Sequence, residues 1–129
     1  MILDSSALAA IFLDEPEADA FGDLIDEAEI CRISAATYVE LSIVVERQLG
    51  PEGSRLFDRY FRKSEIIIEP VTVEQANHAR QAFLDYGKGR HPAGLNFGDC
   101  FAYALAKSTG EPLLFKGDDF SKTDVETAK

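Results

Sequence analysis

Apolar and polar positions along this chain follow two alternating rhythms. Four short apolar runs predict strands: MILD at the N-terminus, ICRI at 30–33, EIIIEP at 65–70 and PLLF at 112–115. Between them the spacing is helical. SSALAAIFL reads as a first helix, and Asp14-Glu15-Pro16-Glu17 opens a second, with proline and acids in its first turn. Ser34 caps a third helix running to about Leu49, where Gly50 offers a stop. Pro51 restarts a helix carrying Leu56, Phe57, Tyr60 and Phe61 on one face. Thr72-Val73-Glu74-Gln75 has capping-box form and opens a helix to about Tyr86. The glycine-rich stretch Gly87–Gly94 must be a loop; residues 97–108 return to helix and Gly110 ends it.

Strands alternating with helices predict an α/β fold, a three-layer α/β/α arrangement with a short central parallel sheet flanked by helices. Sites in such sheets lie beyond the carboxyl ends of the strands. Asp4 ends the first strand, and Lys116 to Asp119 follow the last.

Length and composition fit one domain spanning 1–129, with 46% hydrophobic and 28% charged residues. No stretch approaches the roughly 20 apolar residues of a membrane span. The N-terminus lacks the basic region of a signal peptide, and Asp4 interrupts its apolar run, so a cytoplasmic protein is expected. Cys31 and Cys100 form no CxxC pair and read as reduced core thiols; His78 and His91 are isolated, so zinc chemistry is not expected.

The net charge of −10 argues against a nucleic-acid partner until its distribution is considered. Residues 1–31 hold nine acids and no base, whereas residues 47–90 carry Arg47, Arg55, Arg59, Arg62, Lys63, Arg80, Lys88 and Arg90. Such residues form either ordinary solvated helix faces or a local surface able to meet phosphates.

Three acids stand alone in apolar surroundings. Asp4 is the only charged side chain in residues 1–13, Glu40 the only one in 33–45, and Asp99 the only one in 95–106. An unpaired buried carboxylate costs several kcal/mol, so each needs compensation. Arg47, seven residues beyond Glu40, could pair with it, and helix N-termini could satisfy Asp4 and Asp99. A shared divalent cation would resolve all three at once, and hard oxygen ligands without histidine or cysteine indicate Mg²⁺ or Mn²⁺. A fourth acid would come from Asp118 or Asp119. Ser5 and Ser6 flank Asp4; both are expected first to cap the following helix, though a hydroxyl such as Ser6 could also support the metal site.

Four segments now combine: MILDSSALAAIFLDEPEA, AATYVELSIVV, GKGRHPAGLNFGDCFAYALA and LLFKGDDFSKTD. Together, and in this order, they resemble the VapC toxins of type II toxin–antitoxin systems over almost the whole chain. The resemblance implies a PIN fold, Mg²⁺-dependent endoribonuclease activity on structured tRNA or rRNA, a homodimer, and inhibition by a cognate VapB-like antitoxin. Asp4, Glu40 and Asp99 match the family's first three acidic positions. Gly117 stands where many relatives carry the fourth, leaving Asp118 or Asp119 as replacements. The expected catalytic and metal set is therefore Asp4, Glu40, Asp99 and Asp118, with Asp119 as a further metal ligand. Lys88, Arg90 and His91 are the candidate RNA contacts, because their loop directly precedes the Asp99 helix.

Two other readings compete. A phosphoacceptor receiver domain requires an acid ending a middle strand, but here the third strand ends in Glu69-Pro70 and Glu40 falls inside a helix. A non-catalytic PIN-like binding module would not need the acids. The apolar residues of the helices near 16–28 and 36–61, including Phe21, Leu24, Leu56, Phe57, Tyr60 and Phe61, exceed what one small core obviously requires, so part of this set is expected to form a homodimer face or a groove for an antitoxin helix.

Overall fold

A computed structural model describes residues 1–129. Its elements follow the predicted order: β1 (Ile2–Leu3), α1 (Ser5–Phe12), α2 (Ala18–Glu27), β2 (Arg32–Ser34), α3 (Ala35–Lys63), β3 (Ile67–Glu69), α4 (Val73–Tyr86), α5 (Phe97–Thr109) and β4 (Leu113–Leu114). A 3-10 turn, Phe120–Lys122, follows β4. The strands form one parallel sheet in the order β3-β2-β1-β4.

The pleat divides the core into two layers. Alternate side chains of a strand point to opposite faces. Ile2 and Leu113 accordingly join the cluster built on α4 and α5, which includes Ala79, Ala82, Leu95, Tyr103 and Leu105. Leu3 and Leu114 join Leu8, Ile33, Leu41, Val45 and Phe57 on the other face, under α1 and α3. Helices therefore cover both faces of the sheet, giving the predicted three layers. Cys31 and Cys100 are buried free thiols. No helix is long and apolar enough to cross a membrane.

Three details differ from the expectation. Helix α2 begins at Ala18, not within 14–17. The reason is tertiary: Lys116 beyond β4 takes Glu15 at 2.7 Å and Glu17 at 3.2 Å, holding that stretch as a turn. Strand β2 runs over Arg32–Ser34 rather than 30–33, and Ser34 both ends it and caps α3. Helix α3 continues to Lys63 through a kink at Gly50, whose φ of 66° and ψ of −153° break the helical run before Pro51 restarts it.

The apolar side chains of α2 and α3 divide between core and surface. Phe57 is buried, and Phe21, Leu24, Tyr60 and Phe61 pack against the same cluster. Phe57, Phe61 and Tyr38 form an aromatic group with centroids 4.8–5.0 Å apart. Val39, Ile43, Leu49 and Leu56 of α3 are exposed.

The connections fix where a site can form. From β1 the chain moves to β2 and β3 on one side, then returns through α4 and α5 to place β4 on the other. The order thus reverses between β1 and β4, the point at which open α/β sheets place a crevice beyond the carboxyl ends of their strands.

Candidate active site

Asp4 leaves β1 at that crevice and starts α1. Its Oδ2 accepts from the Ser6 backbone N–H at 3.0 Å and from the Ser6 hydroxyl at 2.6 Å. Asp4 itself is therefore the helix cap, and the expectation that Ser5 or Ser6 caps α1 is corrected. An aspartate directly after a strand can reach back to the free N–H groups of the next helix, leaving the serine hydroxyls for other partners. The Ser6 oxygen also accepts from the Lys116 N–H at 3.0 Å, tying Asp4 to the end of β4. Ser5 turns the other way and donates to Glu40 Oε1 at 2.7 Å.

Asp99 lies in the first turn of α5. The Asn96 side chain accepts from the Asp99 N–H, and Asp99 Oδ2 accepts from the Asn96 N–H, completing a capping box. Glu40 reaches across from α3 to the same turn. A Cβ on Gly98 would overlap Glu40 Oε2 and stand 2.7 Å from its Cδ.

Electrostatics link these groups. Asp4 is 2% exposed, and burial lifts its pKa from an ordinary 3.8 to about 6. The two Ser6 hydrogen bonds oppose that rise; the charges of Asp99 and Glu40 add to it. Burial also raises Asp99, against the Asn96 hydrogen bond, with Glu40 and Asp119 contributing like charge. Asp119 is thus the C-terminal acid whose field reaches Asp99. Asp118 and Asp119 are both exposed, and the Asp118 carbonyl accepts from the Ser121 hydroxyl. Gly117 has a φ of 96°, a conformation that disfavours an acid at that position.

None of these acids has a cationic partner. Arg47 is exposed and makes no ion pair with Glu40, and Lys116 is taken by Glu15 and Glu17. At the amino ends of β1 and β4 the arrangement is the opposite. There Glu111 pairs with the Met1 ammonium at 2.7 Å and with Arg32 at 3.0 Å. One end of the sheet neutralises its acid; the other leaves several facing one crevice.

The residues fit a hard divalent cation. Asp4 Oδ1 is buried without a hydrogen-bond partner, and the donors around it are all oxygen. No three acids converge tightly enough to chelate one bare ion, since Ser5 holds Glu40 and the capping box holds Asp99. That suits an ion which keeps several waters and takes few direct carboxylates.

The candidate RNA contacts lie outside this cluster. Lys88 and Arg90 are exposed and form no ion pair, and Arg90 sits 5.9 Å over the Phe83 ring. His91 is committed to its own loop: Nδ1 accepts from the Ala93 N–H at 3.0 Å, and the ring meets Tyr86 edge-on. One residue escaped the sequence reading, Gly98, and so did the hydrogen bond from Ser5 to Glu40. An acid isolated in apolar sequence can be noticed; the neighbour that gives it room cannot.

Known proteins resemble this chain in sequence and in fold. The PIN domain family model matches residues 1–126. Ribonuclease VapC28 of Mycobacterium tuberculosis is 50% identical over 129 residues, covering 99% of this chain and 97% of that one. Ribonuclease VapC of Mycolicibacterium smegmatis is 46% identical, with 97% of each chain covered. Among solved structures, the sarcin–ricin loop cleaving toxin VapC20 of Mycobacterium tuberculosis superposes with a TM-score of 0.79 at 15% identity, covering 96% of this chain and 95% of its own. A toxin–antitoxin complex from Klebsiella pneumoniae gives 0.69 at 18% identity, with 95% and 92% covered. Sequence likeness at this level over full length, on this fold, places the chain in the VapC family of PIN-domain proteins.

Proposed function

We propose that the chain is a metal-dependent endoribonuclease, the toxin of a VapBC-type pair, with Asp4, Glu40, Asp99 and Asp119 as its reaction centre. The observation that carries this reading is the buried, unpartnered Asp4 Oδ1 among acids that lack any cation. Asp4 and Asp99 would hold Mg²⁺, or Mn²⁺ in its place, most directly, with Glu40 and Asp119 acting through water. When bound, the ion supplies Lewis acidity toward the scissile phosphate and an acidified water, giving 5′-phosphate and 3′-hydroxyl ends.

The chain's own groups do the positioning. Ser6 fixes the rotamer of Asp4 by donating to Oδ2, which leaves Oδ1 without a hydrogen-bond partner. The Asn96 capping box fixes Asp99 in the same way, with Oδ2 engaged. Lys88 and Arg90 grip the RNA backbone from the loop before α5, and His91 keeps that loop in shape through Ala93 while presenting Nε2. The partners are a structured RNA and a VapB-like antitoxin. A basic antitoxin side chain suits a crevice of uncompensated carboxylates, since a guanidinium can pair with them bidentately.

Cleavage of structured RNA in Mg²⁺, followed by sequencing of the ends, tests the proposal. Asp4→Asn and Asp99→Asn are expected to reduce cleavage to background with the fold intact. Asp119→Asn should lower it by about tenfold, as loss of an outer-shell partner does, while Asp118→Asn stays near wild type. Full activity in Asp4→Asn or Asp99→Asn, or equal cleavage in EDTA, would overturn the assignment.

A further inference from the structure

Glu40 differs from the other acids in having both carboxylate oxygens defined by neighbours on different elements. Oε1 accepts from Ser5 on α1 at 2.7 Å. Oε2 lies where a side chain on Gly98 of α5 would begin, and even Oε1 would stand 3.0 Å from a Cβ there. Gly98 does not owe its identity to backbone conformation. Its φ is not in the left-handed region, unlike those of Gly50, Gly89, Gly94, Gly110 and Gly117. It sits in the first turn of α5, between Phe97 and Asp99, where alanine would suit the helix better. Space is what remains to explain it. Nor does Ser5 act as the cap of α1, a task that Asp4 performs.

We propose that Ser5 and Gly98 are the positioning residues of Glu40. The hydroxyl on α1 clamps one oxygen, and the missing side chain on α5 leaves the slot in which the carboxylate lies beside the Asp99 turn. This inference rests on the metal-centre reading above and assigns two residues that act through Glu40 rather than on RNA. The slot also explains how a carboxylate in the middle of α3 can act on both Asp4 and Asp99. The group that an alanine at Gly98 would displace is the far end of a flexible side chain, not backbone. The substitution should therefore move Glu40 while leaving the fold stable.

The test uses the RNA-free protein and Mn²⁺ alone as probe, with free Mn²⁺ read by electron paramagnetic resonance. Ser5→Ala and Gly98→Ala are each expected to weaken Mn²⁺ binding by about tenfold, with melting temperatures unchanged or, for Gly98→Ala, raised. Ser5→Thr, which keeps the hydroxyl, should recover most of the affinity. In a Glu40→Ala background neither substitution should weaken binding further. Undiminished binding in both single variants, or equal losses with and without Glu40, overturns the proposal. Crystal structures of wild type and Gly98→Ala decide the positioning independently of any metal: a displaced Glu40 carboxylate supports it, and an unmoved one overturns it. Failure of the metal reading looks different. Wild type would then bind no Mn²⁺, although the carboxylate still shifts in Gly98→Ala.

Discussion

At the scale of single residues, Asp4 combines two duties that oppose each other in free energy. As a cap it satisfies the first turn of α1, but as a buried carboxylate among Asp99 and Glu40 it resists ionisation. Its pKa is about 6 in the folded chain against an ordinary 3.8. Between those values the folded protein holds a proton that the unfolded chain has released, so stability falls as pH rises through that window. Above it the full penalty applies, about 3 kcal/mol for a rise of roughly two pH units. Metal-free Asp4→Asn keeps an oxygen that can accept from Ser6 and loses the charge. It should melt higher than wild type at neutral pH in EDTA, and the gap should close as pH approaches 3.8. Added Mg²⁺ should then stabilise wild type and leave the variant unmoved. A pH-independent gap would place its origin in packing instead of charge. Asp4, Glu40 and Asp99 were legible in sequence because each is the lone charged side chain in an apolar stretch. Whether Asp118 or Asp119 joins them was not, since that depends on how the chain turns after β4 at Gly117.

At the scale of elements, period and punctuation carried most of the fold. Strand runs, capping boxes and glycine stops predicted the observed order of elements. What they missed are events that one element imposes on another, such as Lys116 holding Glu15 and Glu17 out of α2. The kink in α3 is a second example. Gly50 and Pro51 announce a break, yet only the fold shows why the two halves stay close. A Cβ at Gly53 would stand 2.6 Å from Leu49 Cβ and 2.7 Å from the Val45 carbonyl, so the halves meet where a side chain is missing. Those neighbours are short and rigid. Gly53→Ala should destabilise, because overpacking costs about 1–3 kcal/mol and outweighs the helix-propensity gain of at most about 1 kcal/mol. Gly22→Ala in α2 is the matched control. It has nothing within 4 Å of its Cβ and should gain up to about 1 kcal/mol from propensity alone. Chemical denaturation of both variants measures the contrast. Equal stabilisation in the two would mean that the kink is free to open.

At the scale of the whole molecule, one exposed apolar face lies where the sequence reading did not look, in addition to the exposed Val39, Ile43, Leu49 and Leu56 of α3. The aromatic residues of α3 are largely consumed by the core, whereas α4 and α5 leave a groove of about 630 Å³ lined by Ala76, Ala79, Phe83, Leu84, Phe97 and Phe101. Phe97 is 79% exposed and Leu84 53% exposed at its rim, and Arg80 is the only charged residue lining it. An apolar groove with large side chains exposed at its rim is a candidate contact site. Periodicity could not reveal it, because α4 and α5 each present a buried stripe as well, and only their mutual packing shows which apolar residues are left over. A second copy of the chain is the occupant proposed for this face. A two-fold contact would set the groove of one copy against the same groove of the other, so a charge placed in it is met by its own image and by apolar surface. Two copies each carrying a net charge of −10 also repel at long range, so apolar contact has to outweigh that repulsion, and added salt should strengthen the dimer. Leu84→Glu tests the arrangement without touching the acids. Light scattering at micromolar concentration should give a dimer for wild type and a monomer for the variant, with the melting temperature of α4 and α5 little changed because residue 84 is already solvent-facing. A wild-type monomer at all salt concentrations, or a dimer that tolerates the glutamate, would move the contact off this face.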